Sequence, residues 1–163
     1  REHAVERRTR MTAKEYLSLA VEAARRGMIS GKGGPFGAVI VKDGVVISQA
    51  CNEVLCSHDP TAHAEVLAIR RASEVLDNYD LSGCVLYATG EPCPMCLSAI
   101  IWANVKEVHF CASAEEAEAI GFRDSMIYRH LRGEENILEL TKDDDAAVLA
   151  LYEEYRKSGK TIY

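Results

Sequence analysis

Short apolar runs alternate with helical patterns along this chain, and that alternation leaves few folds open. Ala38-Val-Ile-Val41 is a continuous apolar run, as expected of a strand buried on both faces. Asp43-Gly44 is a strong two-residue turn signal, and Val45-Val-Ile47 reads as the return strand. Val85-Leu-Tyr-Ala88 and the stretch Val105 to Cys111 read as the third and fourth strands, and Ile137-Leu-Glu-Leu140 as a fifth. Helical spacings separate them. Leu17, Ala20, Val21, Ala24 and Met28 follow the capping box Thr12-Ala-Lys-Glu15. A second helix is predicted from Asp59-Pro60-Thr61 to about Leu76, and a third after Pro94. Residues 114–119 read as helical, and a last helix is predicted over 143–158 with Asp143, Asp144 and Asp145 in its first turn. Strands alternating with helices imply a sheet covered on both sides. The expected fold is therefore α/β: a three-layer α/β/α sandwich around a central mixed sheet of about five strands.

A length of 163 residues suits one core. Residues 12–163 are expected to form a single domain. Residues 1–11 read as an N-terminal extension or cloning remnant, with Met11 as the original start. The first ten residues are charged and lack the apolar stretch of a secretory leader, and no run is long enough to cross a bilayer. The expected location is cytoplasmic, with no membrane partner. Six cysteines in such a reducing setting are expected to be free or metal-bound. Cys51, Cys56, Cys84 and Cys111 read as small apolar fillers. The net charge of −6 argues against a phosphate-tracking surface, so nucleic acid is not the expected partner.

Two clusters carry chemistry. His63-Ala64-Glu65 falls near the start of the second predicted helix, and Pro92-Cys93-Pro94-Met95-Cys96 at the junction of third strand and third helix. One imidazole and two thiolates suit zinc, and a helix N-terminus favours the thiolate that a metal requires. His63, Cys93 and Cys96 are three ligands, whereas a structural zinc site is normally closed by four. The expected cofactor is one zinc ion per chain with water as its fourth ligand. Glu65 is two residues beyond His63, off the same helical face, so it is not expected to be that fourth ligand. It can instead flank the metal and move a proton between the water and a substrate. A C-x-x-C alone is often redox-active or half of a structural site, and an H-x-E alone carries almost no information. Together, each opening a helix, they are the signature of zinc deaminases.

On these motifs the chain resembles the cytidine deaminase-like superfamily of zinc deaminases over residues 12–163. Asp59-Pro-Thr-Ala-His-Ala-Glu65 and Glu91-Pro-Cys-Pro-Met-Cys96 are shared by the branch that includes guanine deaminases and tRNA adenosine deaminases. Gly121-Phe-Arg-Asp-Ser-Met-Ile-Tyr128 resembles the Gly-Phe-Asp-Asp-Ser-Phe-Ile-Tyr segment of bacterial guanine deaminases, departing at Arg123 and Met126. The resemblance implies that Asp124 assists proton movement or contacts the purine. It also implies that Phe36 packs against the base, that the Asn52 amide and the Ala64 backbone N–H orient it, and that Trp102 lines the pocket. Taken for themselves, Phe36 and Trp102 read equally as core residues, and Asn52 and Asp124 as turn or cap residues. Guanine deaminases of this kind look like domain-swapped homodimers. The resemblance thus implies a homodimer in which the C-terminal segment covers the partner's site and Tyr163 closes over the base.

The function expected is zinc-dependent hydrolytic deamination of a purine base, guanine giving xanthine and ammonia. Guanosine, cytosine, a triazine analogue and tRNA adenosine are alternative substrates; the acidic run at 143–145 weighs against the last. A non-catalytic zinc scaffold is the alternative from another class, and the carboxylate of Glu65 beside the metal weighs against it.

Overall fold

A computed structural model describes residues 10–163, so the expected extension lies outside the described residues except for its last two. Helix α1, Ala13–Ile29, opens at the expected capping box: the Thr12 hydroxyl accepts from Glu15 N–H, and the Glu15 carboxylate accepts from Thr12 N–H at 2.6 Å. Strands β1 (Gly37–Lys42) and β2 (Val45–Cys51) form the hairpin. Its turn residues Asp43 and Gly44 both have positive φ, as a tight turn matched to strand twist demands. A short helix α2 (Val54–Ser57) precedes α3 (Ala64–Leu76), β3 (Cys84–Gly90), α4 (Pro94–Trp102) and β4 (Glu107–Ala112). Helices α5 (Ala114–Ala119), α6 (Asp124–Leu131) and α7 (Ala146–Lys157) follow.

The sheet order is β2-β1-β3-β4, with β1 antiparallel to both neighbours and β3 parallel to β4. Side chains of β1 go alternately to two cores. Ala38 and Ile40 pack with Ala64, Ala68, Leu86 and Ile100 on the α3/α4 side. Val39 and Val41 pack with Tyr16, Ala20 and Tyr87 on the α1 side. This is why the run at 38–41 contains no polar residue. Gly37 has a packing role of its own: a Cβ there would lie 2.0 Å from the carbonyl oxygen of Ala20, so only glycine lets α1 approach the sheet.

The sheet is mixed and sandwiched as expected, but it has four strands among the described residues, not five. Ile137–Leu140 finds no strand partner: the Ile137 N–H meets the His130 ring at 3.2 Å, and Leu140 is 91% exposed. The second long helix starts later than expected. Asp59 Oδ1 accepts from both Thr61 N–H and Thr61 hydroxyl at 2.8 and 2.7 Å, which closes a turn and defers the helix to Ala64. Likewise Asp145 caps α7 by accepting from Ala147 N–H, so Asp143 and Asp144 precede the helix. No helix among the described residues is long and apolar enough to cross a membrane.

Candidate active site

Three strand ends meet at one edge of the sheet. Phe36 precedes β1, Asn52 follows β2, and Glu91 follows β3. Hydrogen bonds from backbone N–H groups fix this end of the sheet: Asn52 N–H to Phe36 carbonyl at 2.9 Å, Gly37 N–H to the Thr89 side-chain hydroxyl at 3.1 Å, and Glu91 N–H to Ala112 carbonyl at 2.7 Å. Helices α3 and α4 start at this same edge. Their caps are His63 and Cys93, both in extended backbone, and Pro94 occupies the first helical position of α4. The edge therefore gathers two helix N-termini around a cavity of about 410 Å³, a size suited to a small molecule.

His63, Cys93 and Cys96 come together at its floor, their ligand atoms all within 4.8 Å of one another. His63 Nδ1 lies 3.6 Å from Cys93 Sγ and 3.4 Å from Cys96 Sγ. A tetrahedral zinc with nitrogen at about 2.0–2.1 Å and sulfur at about 2.3 Å sets nitrogen–sulfur separations near ~3.6 Å. The three residues thus fit the ion in number, donor type and spacing. Cys93 is pushed down to about 4, first by the hydrogen bond from the Cys96 thiol and then by that from His63. Cys96, which gives that hydrogen bond, is raised. The His63 imidazole is raised, chiefly by its bond to Cys93.

Glu65 is 7% exposed and faces the cavity from the first turn of α3. Burial pushes its carboxyl up to about 7, the hydrogen bond with Cys96 partly opposing that rise. A carboxyl poised there can hold or release a proton at neutral pH. Asp124, at the first position of α6, also lines the cavity. Burial, then the negative charge of Cys93, raises its pKa above the usual carboxylate range.

Of the other expected residues, Phe36 and Asn52 line the cavity. Asn52 is 5% exposed, and its Oδ1 accepts from Val54 N–H at 3.0 Å. Ala64 is fully buried as the first residue of α3, where a backbone N–H has no intrahelical acceptor. Trp102 and Tyr163 lie elsewhere. Trp102 ends α4, 69% exposed, and its ring is 6.3 Å from that of Tyr163, outside the cavity of this chain. The reason is helical geometry: Trp102 is two turns beyond the metal-side end of α4. The expected fillers divide. Cys84 is buried and Cys51 half-buried, but Cys56 and Cys111 are exposed.

Two further lining residues shape the site without having been expected there. Phe122 meets Phe36 edge-on, ring centroids 4.7 Å apart, and completes an aromatic wall. Glu91 ties the site to the start of α5, its Oε2 accepting from Ala114 N–H at 2.8 Å. Both stood within quoted motifs; the signal available was their adjacency to Asp124 and Cys93.

Comparison with known proteins agrees with this geometry. Residues 10–112 match the family described as the cytidine and deoxycytidylate deaminase zinc-binding region. The chain is 52% identical over 121 residues to guanine deaminase of Bacillus subtilis strain 168, covering 74% of this chain and 78% of that protein. It is 47% identical over 100 residues to a tRNA-specific adenosine deaminase of Aquifex aeolicus, covering 61% and 66%. The X-ray structure of the Bacillus subtilis guanine deaminase superposes with a TM-score of 0.89 at 44% identity, covering 94% of this chain and 99% of that one. On the family match over residues 10–112 and the identity to the Bacillus subtilis protein, the chain belongs to the cytidine and deoxycytidylate deaminase family of zinc-binding enzymes.

Proposed function

We propose that this protein is a zinc-dependent aminohydrolase acting on guanine, releasing xanthine and ammonia. The observation that carries the reading is the buried Glu65 carboxyl beside a three-ligand metal site at the floor of a base-sized cavity. One zinc ion per chain, with water completing its coordination, would be held by His63, Cys93 and Cys96. When bound, zinc supplies a Lewis acid that makes water nucleophilic near neutral pH. Glu65 takes one proton from the attacking water and delivers it to the ring nitrogen beside carbon 2; it then takes the remaining proton from the new hydroxyl on carbon 2 and passes it to the amine, which leaves as ammonia as the carbonyl forms. Burial of Glu65 raises its carboxyl, which favours the proton-carrying form between the two transfers.

Recognition of the ring follows from the cavity walls. Phe36 and Phe122 offer an edge-to-face aromatic pair on which a flat base can pack. Because Asn52 Oδ1 already accepts from Val54 N–H, its Nδ2 is the group best placed to donate to a ring acceptor. A donor there favours the carbonyl of an oxopurine over the amino group of adenine. The Ala64 N–H is a second donor toward the base. Asp124 assists proton transfer or contacts the purine.

The family resemblance to tRNA-specific adenosine deaminases supports a second substrate class. The net charge of −6 weighs against it. The unpartnered apolar surface of α7, with Leu149 69% and Tyr152 65% exposed, supports a homodimer in which the C-terminal segment covers the partner's site. In that assembly Tyr163 of one copy would reach the base held by the other, and Trp102 would border the shared site. Residues 12–163 are read as one domain, and the cytoplasm as the location.

A deamination panel tests the reading. Zinc-loaded protein is expected to turn over guanine, with adenine, guanosine, cytosine, a triazine analogue and a tRNA anticodon stem slower by at least tenfold. Guanine left intact at micromolar enzyme would refute the assignment.

A further inference from the structure

Helix α6 brings Asp124 to the cavity, yet it is thinly attached. None of its eight residues is buried. The side-chain hydrogen bonds it makes are nearly all local. Arg129 reaches Ser125 on the same helix and Glu135 just beyond it, and the His130 ring meets the backbone of Glu135 and Ile137. One bond reaches back to the connection between β3 and α4. The Tyr128 hydroxyl donates to the carbonyl oxygen of Pro92 at 3.2 Å. Among the described residues, no other hydrogen bond of α6 joins it to the chain before β4 ends.

The two ends of that bond are well chosen. Tyr128 lies four residues after Asp124, one helical turn along, so the two side chains share a face. Pro92 immediately precedes the metal ligand Cys93, and its neighbour Glu91 is fixed twice, through its N–H to Ala112 and through its carboxylate to Ala114. The acceptor is therefore rigid, and the donor sits on the helix whose position matters. Burial, followed by the nearby charges of Glu91, Cys93 and Asp124, raises the tyrosine pKa, which keeps the hydroxyl protonated and able to donate.

We propose that Tyr128 is a positioning residue: its hydroxyl holds α6 to the Pro92 carbonyl beside Cys93 and thereby sets where the Asp124 carboxylate stands in the cavity. The proposal rests on the reading of Asp124 as a proton-transfer or base-contacting group. Phenylalanine at this position retains the ring packing and removes only the donor.

The test compares zinc-loaded full-length wild type, Tyr128→Phe, Asp124→Asn and the double variant. Tyr128→Phe is expected to keep its zinc and its melting temperature. Amide hydrogen exchange of residues 124–131 should speed up by about tenfold, while residues 94–102 exchange as in the wild type. On guanine, kcat should fall about tenfold with KM within about twofold. In the Asp124→Asn background the same change should cost nothing further, because the residue being positioned is already gone. Unchanged exchange in α6 would overturn the proposal. So would an equal fall in kcat with and without Asp124, which marks a general structural effect. A wild type inert on guanine would refute the substrate reading, while the exchange comparison would still decide whether Tyr128 anchors α6.

Discussion

Between Ala13 and Ala112 the chain closes a core, although Ile29, Ile101 and Trp102 stand outside it; from Leu131 to Tyr163 no residue is buried. Ile40, Leu81, Leu86 and Ile100 are at most 1% exposed, and they sit on both hairpin and crossover elements. Leu131, Leu140, Leu149 and Tyr163 are 68%, 91%, 69% and 79% exposed. The first region closes a core within one chain and holds the metal ligands and Glu65. The second has a capped, regular helix with nothing to lie on. A helix of twelve residues is marginal in water by itself, so its stability has to come from packing. That contrast is the physical ground for assigning catalysis to the first region and assembly to the second.

The largest expected effect strikes the first region. Cys93→Ala removes a ligand and a thiolate at the start of α4. It should abolish zinc binding and guanine turnover, and lower the melting temperature by an amount that excess zinc does not restore. Metal analysis and calorimetry with and without added zinc check this. A variant that kept zinc at full occupancy would show that the triad is not the grip it looks like. Glu65→Gln comes next. It leaves the three ligands intact, so zinc content should match wild type while kcat falls by at least ~10²-fold. If zinc content fell with activity, the roles of ligand and acid–base group would not be separable as the geometry separates them.

The same contrast governs what could be read before any coordinates. The strands and the long helices up to residue 112, apart from the start of α3, were legible because burial on both faces leaves an unbroken apolar run, as at 38–41, and because caps are local chemistry, as at Thr12 and Pro94. The metal triad was legible for the same reason: its ligands open helices, where neighbouring residues carry the signal. The rest was set by partners distant in sequence. Ile137–Leu140 has the composition of a strand but no neighbouring strand to bond, so it does not become one. Helix α6 follows a glycine and carries no side-chain cap, so its start left no mark in the sequence. Phe122 joined the cavity only through its edge contact with Phe36, eighty-odd residues away in the chain. Tyr163 is the reverse case: its expected role depends on a second copy, which one chain's fold does not contain. Trp102, expected to line the pocket, ends α4 two turns away from it.

The exposed region yields a prediction of intermediate size. Leu149→Glu with Tyr152→Glu places two charges on the apolar surface of α7. If that surface is covered in a homodimer, the dissociation constant should rise by at least about thirtyfold, the scale of losing burial of one large side chain, ~2 kcal/mol. Analytical ultracentrifugation over a concentration series measures it. Turnover at low protein concentration should fall with the dimer. By contrast Ile40→Ala, in the closed core, should cost about 2–5 kcal/mol of stability regardless of concentration. Concentration-independent behaviour in the α7 variant would mean that the exposed surface serves something other than a second copy.

The smallest expected effect separates two neighbouring glycines. A Cβ on Gly33 would stand 2.1 Å from Asn52 Oδ1 and 2.7 Å from the Asn52 carbonyl oxygen, so alanine there must displace the amide that faces the cavity. A Cβ on Gly31 would meet nothing within 4 Å, but the backbone there has φ +71, which alanine tolerates poorly. Gly33→Ala should therefore raise KM for guanine about tenfold, the worth of one well-made polar contact, with zinc content unchanged. Gly31→Ala should lower stability by about 1 kcal/mol and leave KM alone. Measuring KM and melting temperature for both variants separates recognition from backbone strain within three residues of one loop. Equal KM values for the two would remove Asn52 from the base-contacting set while leaving the metal site and Glu65 as they stand.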